Sequence, residues 1–241
     1  MIGRPVADPR TGRPGSGVSD GGIKRLPIDD ELSSNRPCFY FRSRNVTVAI
    51  MLRNSNQHTQ ARIALVAPPY DADTAAALEA LGPPIGIFRV FARRPDRAHG
   101  IAGWGRYYLS RRCALSLRHR ELLILRTTAR CGAEYEWGVH VQVFAAKAGL
   151  SAGQVRSVTT GHPDDPCWTE PADRTVLRTA DALDRDSDLP DADWASLVAG
   201  VGEEGAVDAL LICGWYRTIS YVARATRLAP EPGAPRFADV T

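Results

Sequence analysis

Glu136 and His140 stand four residues apart in the stretch "CGAEYEWGVH" (131–140), which makes them neighbours on one helix face. Val139, Val143 and Phe144 lie on or beside the same stripe, so the pair faces inward. A carboxylate beside an imidazole raises the imidazole pKa and fixes its tautomer, and such a pair can pass a proton. The same spacing also suits a purely structural ion pair. A second carboxylate, Glu121, lies in "LSLRHRELLILRTTARCG", where Leu117, Ile124, Leu125 and Thr128 share its face. A carboxylate within an apolar stripe is costly unless paired or protonated. Burial raises its pKa towards the range useful for acid–base work near neutrality. The structural alternative is a lock between two helices, with Arg118 or Arg217 as partner.

Other chemistries have less behind them. Glu121, Glu136 and His140 would make at most a three-ligand metal set, and H-E-x-x-H is absent. There is no nucleophile-elbow motif and no Gly-rich phosphate loop. The five cysteines (Cys38, Cys113, Cys131, Cys167, Cys213) contain no C-x-x-C, so they read as reduced thiols rather than a disulfide framework or zinc knuckle. Neither a metal nor a cofactor is expected.

The elements that must carry these residues are helical. "DADTAAALEALG" ends at Gly82 before two prolines, and helices follow over 86–94 and 96–110, separated at Pro95. Ser116 is the N-cap of a helix over 116–131. Residues 134–148 form the next helix, closed by Gly149, and Ser151 with Gln154 has capping-box spacing. Helices over 170–186, 190–199 and 203–227 complete an all-α domain spanning 62–230. Residues 231–241 are expected to be a flexible tail. Residues 1–61 read as a disordered or irregular leader: 1–22 hold six Gly and three Pro. "NVTVAIML" (45–52) alternates like a strand, but no comparable strand follows to pair with it. Met51 is an alternative start.

The net charge is +3, and the leader carries nine basic against five acidic residues, which leaves the helical part near neutral. That is no footprint for nucleic acid. No run approaches 18 apolar residues, and no signal-peptide core follows the first charges. A cytoplasmic protein with a small-molecule substrate, and with neither nucleic acid nor membrane as partner, is the expectation.

The run "RELLILRTTARCGAEYEWGVHVQVFAAKAGLS" (120–151) resembles the carboxymuconolactone decarboxylase / alkyl hydroperoxidase D (AhpD)-like superfamily. "APPYD" (67–71), "FRVFARRPD" (88–96) and "LLICGWYRTISYVARA" (210–225) support it more weakly. The resemblance implies a homotrimer or homohexamer. In its peroxidase branch a Glu precedes C-x-x-C and a His. Glu121 and His140 fall on the Glu and the His, and Ala133 and Glu136 fall on the two cysteines. Without thiolates, dithiol peroxidase chemistry is not expected. The decarboxylase branch also lacks the cysteines, and implies cofactor-free proton transfer accompanying loss of CO2. On this reading His140 donates or accepts the proton, Glu136 orients it and Glu121 supplies a second proton site. Tyr135 and Trp137 are pocket or interface aromatics, and Arg217 holds a substrate carboxylate. The alternatives are an antioxidant role through Cys131 or Cys213, and a non-catalytic oligomer that binds a ligand.

Overall fold

The computed structural model describes residues 40–43, 46–49 and 60–240. The chain divides into two compact units, residues 1–54 and 55–241. In the first, β1 (Tyr40–Ser43) and β2 (Val46–Ala49) form an antiparallel hairpin, with Tyr40 opposite Ala49 and Ser43 opposite Val46. The alternation at 45–52 does mark a strand. Its partner precedes it in the chain, which is why no pairing strand is found downstream. The expectations for 1–22 and for a start at Met51 lie outside the described residues.

The second unit is all-α. Among the described residues its eight α-helices are α1 (Ala72–Leu81), α2 (Gly86–Phe91), α3 (Pro95–Tyr108), α4 (Leu117–Arg130), α5 (Glu134–His140), α6 (Ala152–Thr160), α7 (Pro171–Asp186) and α8 (Asp191–Thr226). The hub is α4, where every residue from Arg120 to Thr128 is buried and which packs against α5, α6, α7 and α8. A helix covered all round must bury whatever polar residues it carries, and here these include Arg120, Glu121 and Arg126. Leu122, Leu123, Ile124 and Leu125 centre the main core, with Trp137, Trp168, Leu177 and Ile212 around them. A second core joins Ala77, Ile87 and Phe91 to Tyr135 and Ile219.

Helix ends follow local chemistry. Ser116 accepts from the His119 N–H, and Ser151 with Gln154 closes a full capping box. The two helices expected on either side of Pro95 are present, with Pro95 itself the first residue of α3, because proline at the first helical position gives up an N–H that has no partner anyway. The expected break between 199 and 203 is a kink at Gly202 (φ 78°) within α8. The helix expected over 134–148 is α5 followed by a π turn, Val141–Ala145, directly after His140.

The C-terminal segment departs most from expectation. It is a strap packed on α5, not a free tail. The Glu231 carboxylate accepts from the Gly86 N–H (2.6 Å) and the Tyr135 hydroxyl (2.5 Å). Glu134 accepts from Arg236 Nε (2.7 Å) and the Phe237 N–H (2.8 Å). The Pro235 carbonyl lies so close to Gly138 that a Cβ there would sit 2.6 Å from it, so only glycine fits.

Candidate functional site

A three-residue turn, 131–133, joins α4 to α5, and the two helices pack together. That packing sets the His140 ring between two carboxylates. Nδ1 lies 2.8 Å from Glu121 Oε2, and Nε2 lies 3.5 Å from Glu136 Oε1. Glu121 is fully buried, Glu136 is 6% exposed and His140 is 3% exposed. Arg120 completes the cluster. Its Nε is 3.4 Å from Glu121 Oε1, and its other end donates to the carbonyls of Tyr108 (2.7 Å) and Ser110 (3.3 Å). Tyr216 of α8 sets its ring edge-on to the imidazole, with centroids 5.0 Å apart.

Two cations and two carboxylates are thus buried together, a charge-balanced set. Burial alone would push the His140 pKa down. The Glu121 charge and hydrogen bond, reinforced by Glu136, override it and raise the value to about 9. At neutral pH the imidazole is therefore protonated, donating from Nδ1 to Glu121 and holding Nε2 within ion-pair distance of Glu136. Burial, together with the Glu136 and Glu121 charges, holds the Tyr216 hydroxyl far above its ordinary range, so it stays neutral. One atom is left over: Glu136 Oε2 is buried with no hydrogen-bond partner among the described residues.

Glu136 and His140 line a cavity of about 440 Å³. Its walls are apolar: Ile87, Phe88 and Phe91 of α2, Ile101 and Ala102 of α3, Val139 of α5, Phe144 of the π turn, and Tyr216 and Ile219 of α8. That size suits a small organic ligand. The two carboxylates approach opposite nitrogens of one ring. Among the described residues no three His, Cys, Asp or Glu side chains converge as a metal set.

The other residues singled out in the sequence sit elsewhere. Tyr135 packs into the second core, donating to Glu231 and accepting from the Ile87 N–H (3.0 Å), so it ties α5 to α2 and the strap. Trp137 is wholly buried against Phe237 of the strap, ring centroids 4.9 Å apart, away from the cavity. Arg217 bonds Asp184 (2.8 Å) and Tyr221 (3.0 Å) and lines a different depression, beside Cys213 and Leu210. It does not reach His140 or Glu121. Glu121's arginine partner is Arg120, while Arg118 pairs with Asp173 at 2.7 Å. Arg120, Tyr216 and the α2–α3 wall were not foreseen. The one available signal is the spacing of Ala102, Gly105, Arg106 and Leu109, a single face of α3.

No family model and no curated protein matches the sequence. Among solved structures, an uncharacterized peroxidase-related protein from Silicibacter sp. aligns with a TM-score of 0.62 at 17% identity, covering 77% of this chain and 100% of its own. A protein of unknown function from Agrobacterium tumefaciens, described as a putative antioxidant defence protein AhpD, aligns with a TM-score of 0.52 at 22% identity, covering 58% of this chain and 94% of its own. At these identities the likeness is one of fold: the helical unit has the AhpD-like fold. No helix among the described residues is long and apolar enough to cross a membrane.

Proposed function

We propose that the protein is a cofactor-independent enzyme that moves a proton to or from carbon on a small carbonyl-bearing or carboxylated molecule, decarboxylation included. The observation that carries this reading is the buried cluster Glu121–His140–Glu136, of which Glu136 and His140 line an apolar cavity. This reading exchanges two of the roles expected from the sequence. Glu121, at 2.8 Å, is the group that orients His140 and keeps it charged, and Glu136 is the group adjoining the ligand. Glu136 takes the proton from carbon, or returns it after CO2 has left. The imidazolium already carries both its protons, so the abstracted proton stays on Glu136, and the positive charge steadies the carboxylate that is regenerated when Glu136 gives that proton up.

The names of the two structural neighbours invite a second reading, peroxide reduction by a thiol. Little in this chain favours it. Ala133 and Glu136 occupy the two positions where the resemblance implies cysteines. Cys113, Cys131 and Cys213 have thiols raised by burial, Cys213 to about 11, and none of them lines the cavity. At neutral pH such thiols hold little thiolate, the form that attacks peroxide.

The test uses D2O. The protein is incubated with a panel of 2-oxo acids and unsaturated lactone carboxylates, and deuterium uptake at carbon and CO2 release are followed by NMR. Turnover that falls about 10²-fold in Glu136→Gln, the usual cost of deleting an acid or base, supports the reading. Exchange unaffected by both Glu136→Gln and His140→Gln, or turnover requiring a cysteine, would overturn it.

A further inference from the structure

The cavity has two unlike ends. At the inner end Glu136, His140 and Tyr216 are all buried. Where it meets solvent it is edged by Leu109 (39% exposed), Val143 (41% exposed) and Arg106, also exposed. Arg106 makes no hydrogen bond or ion pair among the described residues, whereas Arg89, Arg97, Arg118, Arg120 and Arg126 are each held by a carbonyl or a carboxylate. Between the two ends the wall is hydrocarbon. A ligand filling it must therefore be mostly apolar, because any polar group placed mid-cavity would lose water and gain no partner.

The ends also differ in sign. The inner end is lined by the Glu136 side chain, a carboxylate that repels an anion and suits a hydroxyl, an enol or an acidic C–H. The rim offers an unused guanidinium, which suits a carboxylate. We propose that the cavity takes an amphipathic anion: an apolar ring or chain body in the channel, an anionic group on Arg106, and a hydrogen-bond donor delivered to Glu136. The inner-end part of this rests on the proton-transfer reading. The apolar body and the rim anion stand without it.

Gly105 sets how large the body can be. A glycine inside a helix costs about 1 kcal/mol relative to alanine, yet Gly105 lies on the cavity face of α3 between Ala102 and Arg106. A Cβ built there meets no atom within 4 Å. Packing does not require the glycine, and what its small size leaves is room in the channel. Gly105 is thus a specificity-determining position, together with Ala102 one turn earlier.

Calorimetric titration with four probes tests this: 6-hydroxy-2-naphthoate, 2-naphthoate, 2-naphthol and the small polar acid pyruvate. The hydroxynaphthoate should bind tightest and pyruvate weakest. Arg106→Gln should weaken both naphthoates roughly five-fold, as expected for a partly exposed ion pair, and leave 2-naphthol unchanged. Glu136→Gln should remove the advantage of the hydroxyl. Gly105→Phe should abolish binding of all three naphthalene probes, while Gly105→Ala folds at least as stably as the parent and still binds them. Tighter binding of pyruvate than of the naphthalenes would overturn the apolar-body assignment. Naphthoate affinity unchanged by Arg106→Gln would overturn the rim anion. Failure of deuterium exchange with these binding patterns intact would count against the proton-transfer reading and not against the ligand class.

Discussion

Helix α4 buries charge in two places, five residues apart, and treats it differently. At Arg126 every need is met. The guanidinium is fully buried, donates to both oxygens of Asp181 (2.7 Å each) and reaches the carbonyls of Ser157, Val158 and Gly161 at the end of α6. Arg130 holds Asp181 from the other side. At Glu121 the charges balance, but an oxygen of Glu136 goes unpaired and the cluster borders a cavity. Buried charge that is fully bonded and sealed by packing holds helices together. Buried charge left incompletely bonded beside open space has a reason other than stability, since an unmet buried acceptor costs about 1–3 kcal/mol.

Arg126→Ala should therefore have the largest effect on the fold. It leaves Asp181 with Arg130 alone and strands three carbonyls, and a loss of about 3 kcal/mol is expected, the low end for removing one partner of a buried pair. Urea unfolding would measure it, and a loss under 1 kcal/mol would put the two clusters on the same footing. Glu136→Gln should shift stability by no more than about 1 kcal/mol in either direction, because the group it alters is already incompletely bonded, while lowering turnover about 10²-fold. A destabilisation matching that of Arg126→Ala would make Glu136 structural too. The smallest effect is expected from replacing Cys113, Cys131 and Cys213 together by Ser: no change in any proton-transfer rate, checked in the same D2O assay. A peroxide-consuming rate that disappears in that variant would turn attention back to the thiols.

Much of this arrangement was legible in the sequence, because it rests on local rules. Helix starts at Ser116 and Ser151 follow from side chains that cap, and the inward position of Glu121 follows from its apolar neighbours at helical spacing. The Glu136–His140 pairing follows from a four-residue interval. What was illegible depends on contacts between distant segments. Tyr135 and Trp137 are as suited to a pocket as to a core, and only the strap, through Glu231 and Phe237, decides for the core. Arg217 lies one residue beyond Tyr216, about 100° round α8, so a single step along the helix exchanges the cavity for another face. The order of the strap comes from side chains clasping α5 across about a hundred residues of chain, which composition does not reveal.

The titration of His140 tests the central claim most directly and needs no substrate. Glu121 and Arg120 face the ring from α4, Glu136 from α5 and Tyr216 from α8. The folded value of about 9 lies above the ordinary 6.5. The stabilisation it brings is therefore complete below about pH 6.5 and is lost as pH rises through 9. In side-chain-labelled protein, with the resonance assigned by its absence from His140→Gln, NMR should give a midpoint near 9. That midpoint should fall clearly in Glu121→Gln. A midpoint near 6.5 that does not move in Glu121→Gln would contradict the charged Glu121–His140 pair and reduce the cluster to helix packing.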